Sequence, residues 1–219
     1  MQRFILKQNL ARYRKVLAEE ADRNLRQTLR SMISSMQREL AFLNSNSSGA
    51  GLPPPRFGPA DINRDGHHAL SQFQREFENS PLLYLILDPR PGLHIIDING
   101  AFAQATMTTR AVVAGERLFN VFPDNPDDPF ADGVSNLYAS LRSAAETGQP
   151  HAMQIQRYDL RHPNGKFVER YWRPVNSPVF DDKRRLIYLL HHVEDVTGEA
   201  SLRRQSVMER ERLAIVLPS

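Results

Sequence analysis

The sequence contains no cysteine, which excludes disulfides, thiolate metal sites and covalent thiol chemistry. No apolar run approaches the roughly 18 residues that a membrane span requires, and the N-terminus, MQRFILKQNLARYRK, lacks the apolar core of a signal peptide. The formal net charge is only +3, and basic residues alternate with acidic ones instead of forming a dense nucleic-acid footprint. We therefore expect a cytoplasmic protein that binds neither membrane nor nucleic acid.

Common catalytic motifs are also missing from the sequence, which has no G-x-S-x-G, H-E-x-x-H or phosphate-binding loop. The 41% hydrophobic and 24% charged residues are typical of a globular protein with a sizeable core. The 219 residues allow one ordinary domain with extensions, or two small ones. We expect a non-enzymatic protein, unless the chain is part of a histidine kinase.

Glycine and proline are absent from residues 4–43, where apolar residues recur every three or four positions. This spacing predicts an amphipathic helical arm over residues 1–43. The arm is either one coiled-coil helix or a hairpin that breaks near Asp22, a residue type that often N-caps a helix. Its apolar stripe must contact another helix, the following domain or a second copy of the chain. The interface candidates on the stripe are Leu25, Leu29, Met32 and Met36.

A domain boundary follows the arm. Residues 44–60 are rich in serine, glycine and proline and have no periodicity, which indicates a linker. From residue 61 to 198 short β-rich runs alternate with helical stretches, and residues 199–219 have the composition of one more helix.

The order of the elements in the second segment predicts the fold class. Two strands are expected at 82–87 and 94–98, helices at 99–106, 111–122 and 132–147, and three strands at 153–161, 166–175 and 185–196, after a first helix at 69–78. This order predicts an α+β fold with a five-stranded antiparallel sheet and helices on one face.

Five short segments in this order resemble the PAS domain family. They are FENSPLLYLILD before and within the first strand, INGAF after the second, VVAGERLFNVFP in the helical region, PNGKF in a hairpin turn and VEDVT at the end of the last strand. The resemblance covers residues from about 71 to 198, and the segment is similar to PAS domains of bacterial two-component signalling proteins.

The resemblance implies a sensory fold that binds a small organic molecule or another protein and relays the event through its flanking helices. It implies a homodimer that signals to a kinase or another partner protein. The alternative is a protein–protein adaptor whose core is filled by side chains. These two hypotheses remain open, because one fold supports many functions.

Strand alternation identifies candidate ligand residues. Ile187, Leu189, His191 and Val193 share the more apolar face of the last strand, which should face the core and place a polar histidine inside it. Tyr188 and Leu190 lie on the opposite face, where they would need a cover. We expect the N-terminal helices of this chain, or of a partner, to supply it.

The preceding strands add Trp172 and Asn176, which share one parity, and Tyr158, whose parity the sequence leaves open. With His191 and Val193 they are the candidate pocket residues. Trp172 could equally be core filler, since tryptophan buries a large area wherever it lies. Haem-binding members of the family use a histidine on the long helix and flavin-photoadduct members use a cysteine; this sequence has neither, so the ligand stays unidentified.

Two acidic segments raise the question of a metal. Asp61, Asn63 and Asp65 begin a run similar to a calcium loop, but its twelfth position is Gln72 instead of glutamate. We therefore favour a capping turn there. Asp124, Asp127 and Asp128 are interrupted by prolines and are expected to form a solvated turn.

The end of the last strand is the expected signal output. A hydrogen-bonded pair of Asp195 and Thr197 would couple distortion of the sheet to the direction of the following helix. Asp195 could equally serve only as the N-cap of that helix.

Overall fold

The computed structural model describes residues 1–51 and 77–216, with side chains as far as residue 206. The helices are α1 (Gln2–Glu19), α2 (Arg23–Ser48), α3 (Gly100–Ala105), α4 (Arg110–Val113), α5 (Leu118–Val121), α6 (Gly133–Thr147) and α7 (Thr197–Val216). The strands are β1 (Leu83–Leu87), β2 (Ile95–Ile98), β3 (His151–Ala152), β4 (Gln156–Arg157), β5 (Leu160–Arg161), β6 (Phe167–Val168), β7 (Tyr171–Phe180) and β8 (Leu186–Asp195).

The N-terminal arm is a hairpin of two helices. Asp22 lies between them, and its carboxylate accepts a hydrogen bond from the backbone N–H of Leu25 at 2.8 Å, which satisfies one of the free donors at the start of α2. The α2 helix continues to Ser48, so the first five residues of the predicted linker are helical. The remainder of that linker, from residue 52, and the calcium-like loop at Asp61, Asn63 and Asp65 lie outside the described residues.

The sheet has the strand order β2-β1-β8-β7-β3, and every pairing in it is antiparallel. The β4 strand also pairs with β7, so β3 and β4 are two pieces of one edge strand and the sheet has five strand positions. The prediction of an α+β fold with a five-stranded antiparallel sheet is thus confirmed. The strand expected at 153–161 is broken, and β5 and β6 form a separate ribbon.

One predicted helix, at 111–122, is divided in two. Gly115 lies between α4 and α5 with a φ of 84°, a conformation that suits glycine. Its N–H donates to the carbonyl of Ile95 at 2.7 Å, so pairing with β2 replaces a helical hydrogen bond at this point.

A β-bulge at Ile187 changes which residues of β8 face the core. Val179 pairs with Tyr188, but Phe180 pairs with Leu186, so one residue of β8 is unmatched. Ile187 therefore packs with Tyr188 in the outer cluster, and Leu186 contacts the inner core. The prediction that Ile187 shares the inner face with Leu189 is wrong, because strict alternation fails at a bulge.

The two faces of the sheet carry separate apolar clusters. The inner cluster packs the sheet against α3 to α6 and includes residues such as Leu85, Phe102, Leu141 and Leu189. The outer cluster combines Ile86, Ile187 and Tyr188 with Phe77, which precedes β1. The α2 helix packs along α6 on the helical side. The arm of this chain thus packs on the helical side and not, as the first alternative expected, on the outer face; that the helices of a partner cover the outer face stays a prediction.

Among the described residues, no helix combines the length and the apolar character that crossing a membrane would require.

Candidate ligand cavity and its connection to the exit helix

A cavity of about 60 Å³ lies between the inner face of the sheet and the helices. Its wall is almost wholly apolar. The helices contribute Phe102, Leu118 and Leu137, and the sheet contributes Leu85 and Val193. The few polar side chains of the wall, among them His191 on β8, are therefore the groups that could fix the orientation of a ligand.

Four of the five predicted pocket residues surround this cavity. Tyr158, Trp172, His191 and Val193 line it. Asn176 is fully buried one layer behind them, and its Oδ1 lies 2.7 Å from Nδ1 of His191. Because β7 and β8 pair Asn176 with His191 in register, the two side chains meet on the same face of the sheet.

Burial determines the charge of His191. Its pKa is lowered to about 3, first by loss of solvation and second by the neighbouring His192. The imidazole is therefore neutral at physiological pH. It contacts the ring of Phe102 edge-on, with the ring centroids 6.4 Å apart.

Tyr158 follows β4, and it lines the cavity. The hydroxyl donates to the carbonyl of Phe122 at 2.5 Å, and burial raises the pKa of the phenol well above its usual value. The ring lies so close to α6 that a Cβ at Gly133 would come within 2.2 Å of it. Glycine at 133 is thus required by the close approach of Tyr158, which the sequence pattern did not reveal.

Trp172 connects the cavity with the end of the sheet. Its Nε1–H donates to the carbonyl of Tyr158 at 2.9 Å, and its register partner on β8 is Asp195. A wall residue and a residue of the predicted output therefore face each other across a single strand pair.

The predicted output pair is joined by hydrogen bonds. Oδ1 of Asp195 accepts from the N–H of Thr197 at 2.9 Å, and Oγ1 of Thr197 accepts from the N–H of Tyr171 at 3.0 Å. Thr197 thus attaches the first residue of α7 to the first residue of β7. The carbonyl of Val196 accepts the first helical hydrogen bond, from Ala200 at 2.9 Å, so Asp195 lies one residue before the N-cap and its bond to Thr197 closes a local turn at this junction.

Ion pairs on the surface hold α7 against β7. Arg204 bonds to Glu169 at 2.8 Å and lies over the ring of Tyr171, with 5.0 Å from its guanidinium carbon to the ring centroid. Arg173 reaches both Glu194 and Glu199. Exposed pairs of this kind contribute little to stability, so they can rearrange at small cost.

The arm contacts the core through a buried carboxylate. Asp124 precedes α6; its Oδ1 accepts from the N–H of Val134 at 3.1 Å, and its Oδ2 lies 3.6 Å from Nε of Arg38 on α2. Burial raises the pKa of Asp124, although that backbone N–H and Arg38 oppose the shift. The prediction of a solvated turn is wrong for Asp124, because α2 covers this position.

The predicted interface residues have unequal exposure. Leu25 and Met32 are 45% and 41% exposed, whereas Met36 and Leu190 are half-buried. Leu29 and Tyr188 are buried within the single chain. A second copy could therefore contact Leu25 and Met32 directly, but not Leu29 or Tyr188.

Further wall residues were missed by the sequence analysis. Thr106, Phe122, Leu137, Met153 and Gln156 all line the cavity. The apolar stripe of α6 could have indicated Leu137, since buried residues recur along that helix at helical spacing. The remaining four come from turns and short strand pieces, where no periodicity marks the inner side.

The wall offers little to a metal or a large cofactor. The described residues contain no cluster of three or more histidine or acidic side chains that could hold a metal ion. At about 60 Å³ the cavity is also far below the roughly 300–1,000 Å³ of pockets for drug-sized ligands. It has no room for haem or flavin in this conformation.

Comparison with solved structures finds similar folds at low identity. A PAS domain of a protein from Colwellia psychrerythraea is 15% identical, with a TM-score of 0.44, over 59% of this chain and 98% of that one. The PAS domain of the fruit-fly ELK potassium channel is 14% identical, with a TM-score of 0.45, over 58% and 97%. A light-oxygen-voltage protein from Rhodobacter sphaeroides is 15% identical, with a TM-score of 0.46, over 59% and 68%.

No curated protein matches the chain. The PAS-fold family model matches residues 77–201, which is more than half of the sequence. That range contains the sheet, the cavity and the Asp195–Thr197 junction. The resemblance noted in the five short segments is confirmed, and the chain belongs to the PAS fold family.

Proposed function

We propose that this chain is a sensory module of a bacterial signalling protein. A small molecule occupies the core cavity and alters how β7 and β8 contact α7, the helix that follows the sheet. The change passes to the flanking helices and from them to a kinase or another partner protein. The observation that carries the proposal is the short path from the cavity wall to the start of α7.

The path needs only one strand pair. Trp172 lines the cavity and pairs with Asp195, and the neighbouring Tyr171 donates its N–H to Thr197. A molecule that pushes the indole outward therefore moves the backbone that orients α7. The ion pairs of Arg173 and Arg204 lie on the solvent side of this junction, where they can exchange partners at small cost.

A second candidate function is an adaptor that binds only protein. The small cavity favours it, because the engineered cavity that binds benzene has about 150 Å³, more than twice the volume available here. A ligand of the sensory module must therefore be very small or must displace side chains of the wall.

The single tryptophan of the chain separates these functions, because Trp172 lies in the cavity wall and its emission reports on the cavity. Small molecules released from the purified protein are identified by mass spectrometry and added back while the emission is recorded. The sensory function predicts a released molecule that shifts the emission on return. Val193→Leu, which fills the cavity, should abolish the shift, whereas the surface change Val112→Leu should not.

No released molecule, together with no emission change for any returned extract, would support the adaptor.

We also propose that the module is a homodimer joined through the helical arm. Besides Leu25 and Met32, the hairpin exposes Phe4 and Ile5, an amount of apolar surface that a partner helix could bury. Sedimentation should give a dimer for the wild type and a monomer for the double variant Leu25→Glu, Met32→Glu. The variant Leu202→Glu, exposed on α7, is the matched control. A wild type that stays monomeric at high concentration would contradict the proposal.

A further inference from the structure

A chain of four buried or half-buried polar side chains runs from the cavity to the sheet edge. Nδ1 of His191 lies 2.7 Å from Oδ1 of Asn176, whose Nδ2 donates to Oγ of Ser140 at 2.7 Å. Ser140 Oγ lies 2.7 Å from Nδ1 of His151 on β3. The chain therefore crosses from β8 over β7 to α6 and the edge strand.

The sulfur of Met153 favours one orientation of the Asn176 amide. It lies 3.7 Å from Nδ2, and a thioether can accept a hydrogen bond but cannot donate one. In the orientation seen here the amide nitrogen points toward Met153 and Ser140, where it can donate to both, and the oxygen faces His191. Because that oxygen only accepts, Nδ1 of His191 carries the hydrogen.

A neutral imidazole has a single ring hydrogen, so Nε2 of His191 presents a lone pair. His191 lines the cavity, and within the described residues the hydrogen bond of its ring is made by Nδ1 and not by Nε2. This nitrogen is the acceptor that a bound molecule would meet.

The other polar groups of the wall already have partners. The hydroxyl of Thr106 donates to the carbonyl of Phe102, and that of Tyr158 donates to the carbonyl of Phe122. The amide of Gln156 accepts from Asn136 and donates to a backbone carbonyl. A ligand would therefore find no available donor among these side chains, and Nε2 of His191 is the ring nitrogen of the wall whose lone pair makes no hydrogen bond to the described residues.

We infer that the cavity selects an uncharged, mostly apolar molecule of a few heavy atoms that bears one O–H or N–H donor, directed at Nε2 of His191. The inference rests on the proposed sensory function. A charged ligand is disfavoured because the wall holds no Asp, Glu, Lys or Arg to compensate it. A molecule that only accepts hydrogen bonds would set its lone pair against that of Nε2.

Pyrrole and furan test the donor requirement, since they are five-membered rings of nearly equal size and only pyrrole has an N–H. Binding is followed by the emission of Trp172 and by nitrogen shifts of the histidines in ¹⁵N-labelled protein. Pyrrole should bind about tenfold more tightly than furan, as expected for one net hydrogen bond. It should also move the signal of His191 Nε2.

His191→Leu removes the acceptor nitrogen and should abolish the preference for pyrrole. His192→Leu, the next residue on the opposite face, should keep it. The tautomer is read from the free wild type, so this part of the test remains available if His191→Leu does not fold.

Equal affinity for pyrrole and furan, or a hydrogen found on Nε2 in the free protein, would overturn the donor requirement and leave a cavity that binds small molecules. If neither probe perturbs any residue of the wall and the purified protein releases no small molecule, the sensory function itself fails.

Discussion

Two buried polar clusters in this chain differ in how well their hydrogen bonds are satisfied. Around Asn176, the amide bonds to both His191 and Ser140. Around Asp124, the carboxylate bonds to a backbone N–H, but its Oδ2 and Nε of Arg38 are both buried and 3.6 Å apart, too far for a hydrogen bond.

The difference indicates which of the two contacts, within the sheet or between the arm and the core, opens more easily. A buried network whose hydrogen bonds are formed holds its elements in one arrangement. A network with missing hydrogen bonds regains part of the desolvation free energy of its polar atoms when it opens to water. The Asn176 cluster lies within the sheet and α6, and the Asp124 cluster lies where the arm meets the core. We expect the arm to separate from the core more easily than the sheet distorts.

Replacing Asn176 should give the largest loss of stability. Asn176→Leu leaves the Nδ1–H of His191 and the hydroxyl of Ser140 with one partner fewer, which should cost on the order of 3 kcal/mol in the free energy of unfolding. Urea denaturation measures the loss. Asn120→Leu, at an exposed position, is the control. A loss below about 1 kcal/mol would mean that the network stabilises the fold no more than an apolar filling would.

Acidification should weaken the Asn176 cluster next. The pKa of His191 is lowered to about 3 in the folded protein, so the unfolded chain takes up a proton first as the pH falls below 6.5. The stabilisation is complete above pH 6.5 and should decline by about 1.4 kcal/mol per pH unit below it. Denaturation of the wild type and of His191→Gln between pH 7 and 5 measures the difference. Parallel curves for the two proteins would contradict a neutral buried His191.

The loss of Arg38 should have a smaller effect, confined to the arm. Arg38→Met removes the cation nearest to the carboxylate of Asp124, which should cost about 1 kcal/mol because the pair is long and Arg38 is partly exposed. Hydrogen exchange should accelerate in α1 and α2 and stay unchanged in β7 and β8. Arg30→Met, exposed on the same helix, is the control. Equal acceleration in the sheet would show that arm and core open as one unit.

Asp124→Asn should change stability least, within about 0.5 kcal/mol at neutral pH, because it removes the cost of a buried charge while its carbonyl can still accept from Val134. The raised pKa of Asp124 means that the folded state binds a proton more readily than the unfolded chain. The wild type should therefore gain stability relative to this variant as the pH falls from 7 towards 4. If the wild type instead loses stability relative to Asp124→Asn over this range, the pKa of Asp124 is lowered and not raised.

Sequence periodicity predicted the parts of the fold that regular strands and helices determine. It placed β8, the long helix α6 and the parity of Trp172 and Asn176 correctly. It could not place Ile187, because a bulge depends on the pairing with β7, nor Tyr158, which lies between two strand pieces. The burial of Asp124 depends on α2 packing against α6, a contact between elements about 90 residues apart that no local pattern encodes.

Asn99 fixes the position at which the chain enters the sheet. This fully buried side chain donates to the carbonyls of Phe77 and Leu82 and accepts from the N–H of Tyr84, which fixes the chain where it enters β1. The first residue of β1, Leu83, pairs with Val193 near the end of β8. The chain thus enters and leaves the sheet on adjacent strands, about 5 Å apart. A domain with this geometry can be inserted into a longer polypeptide, or removed from it, while the flanking segments remain neighbours.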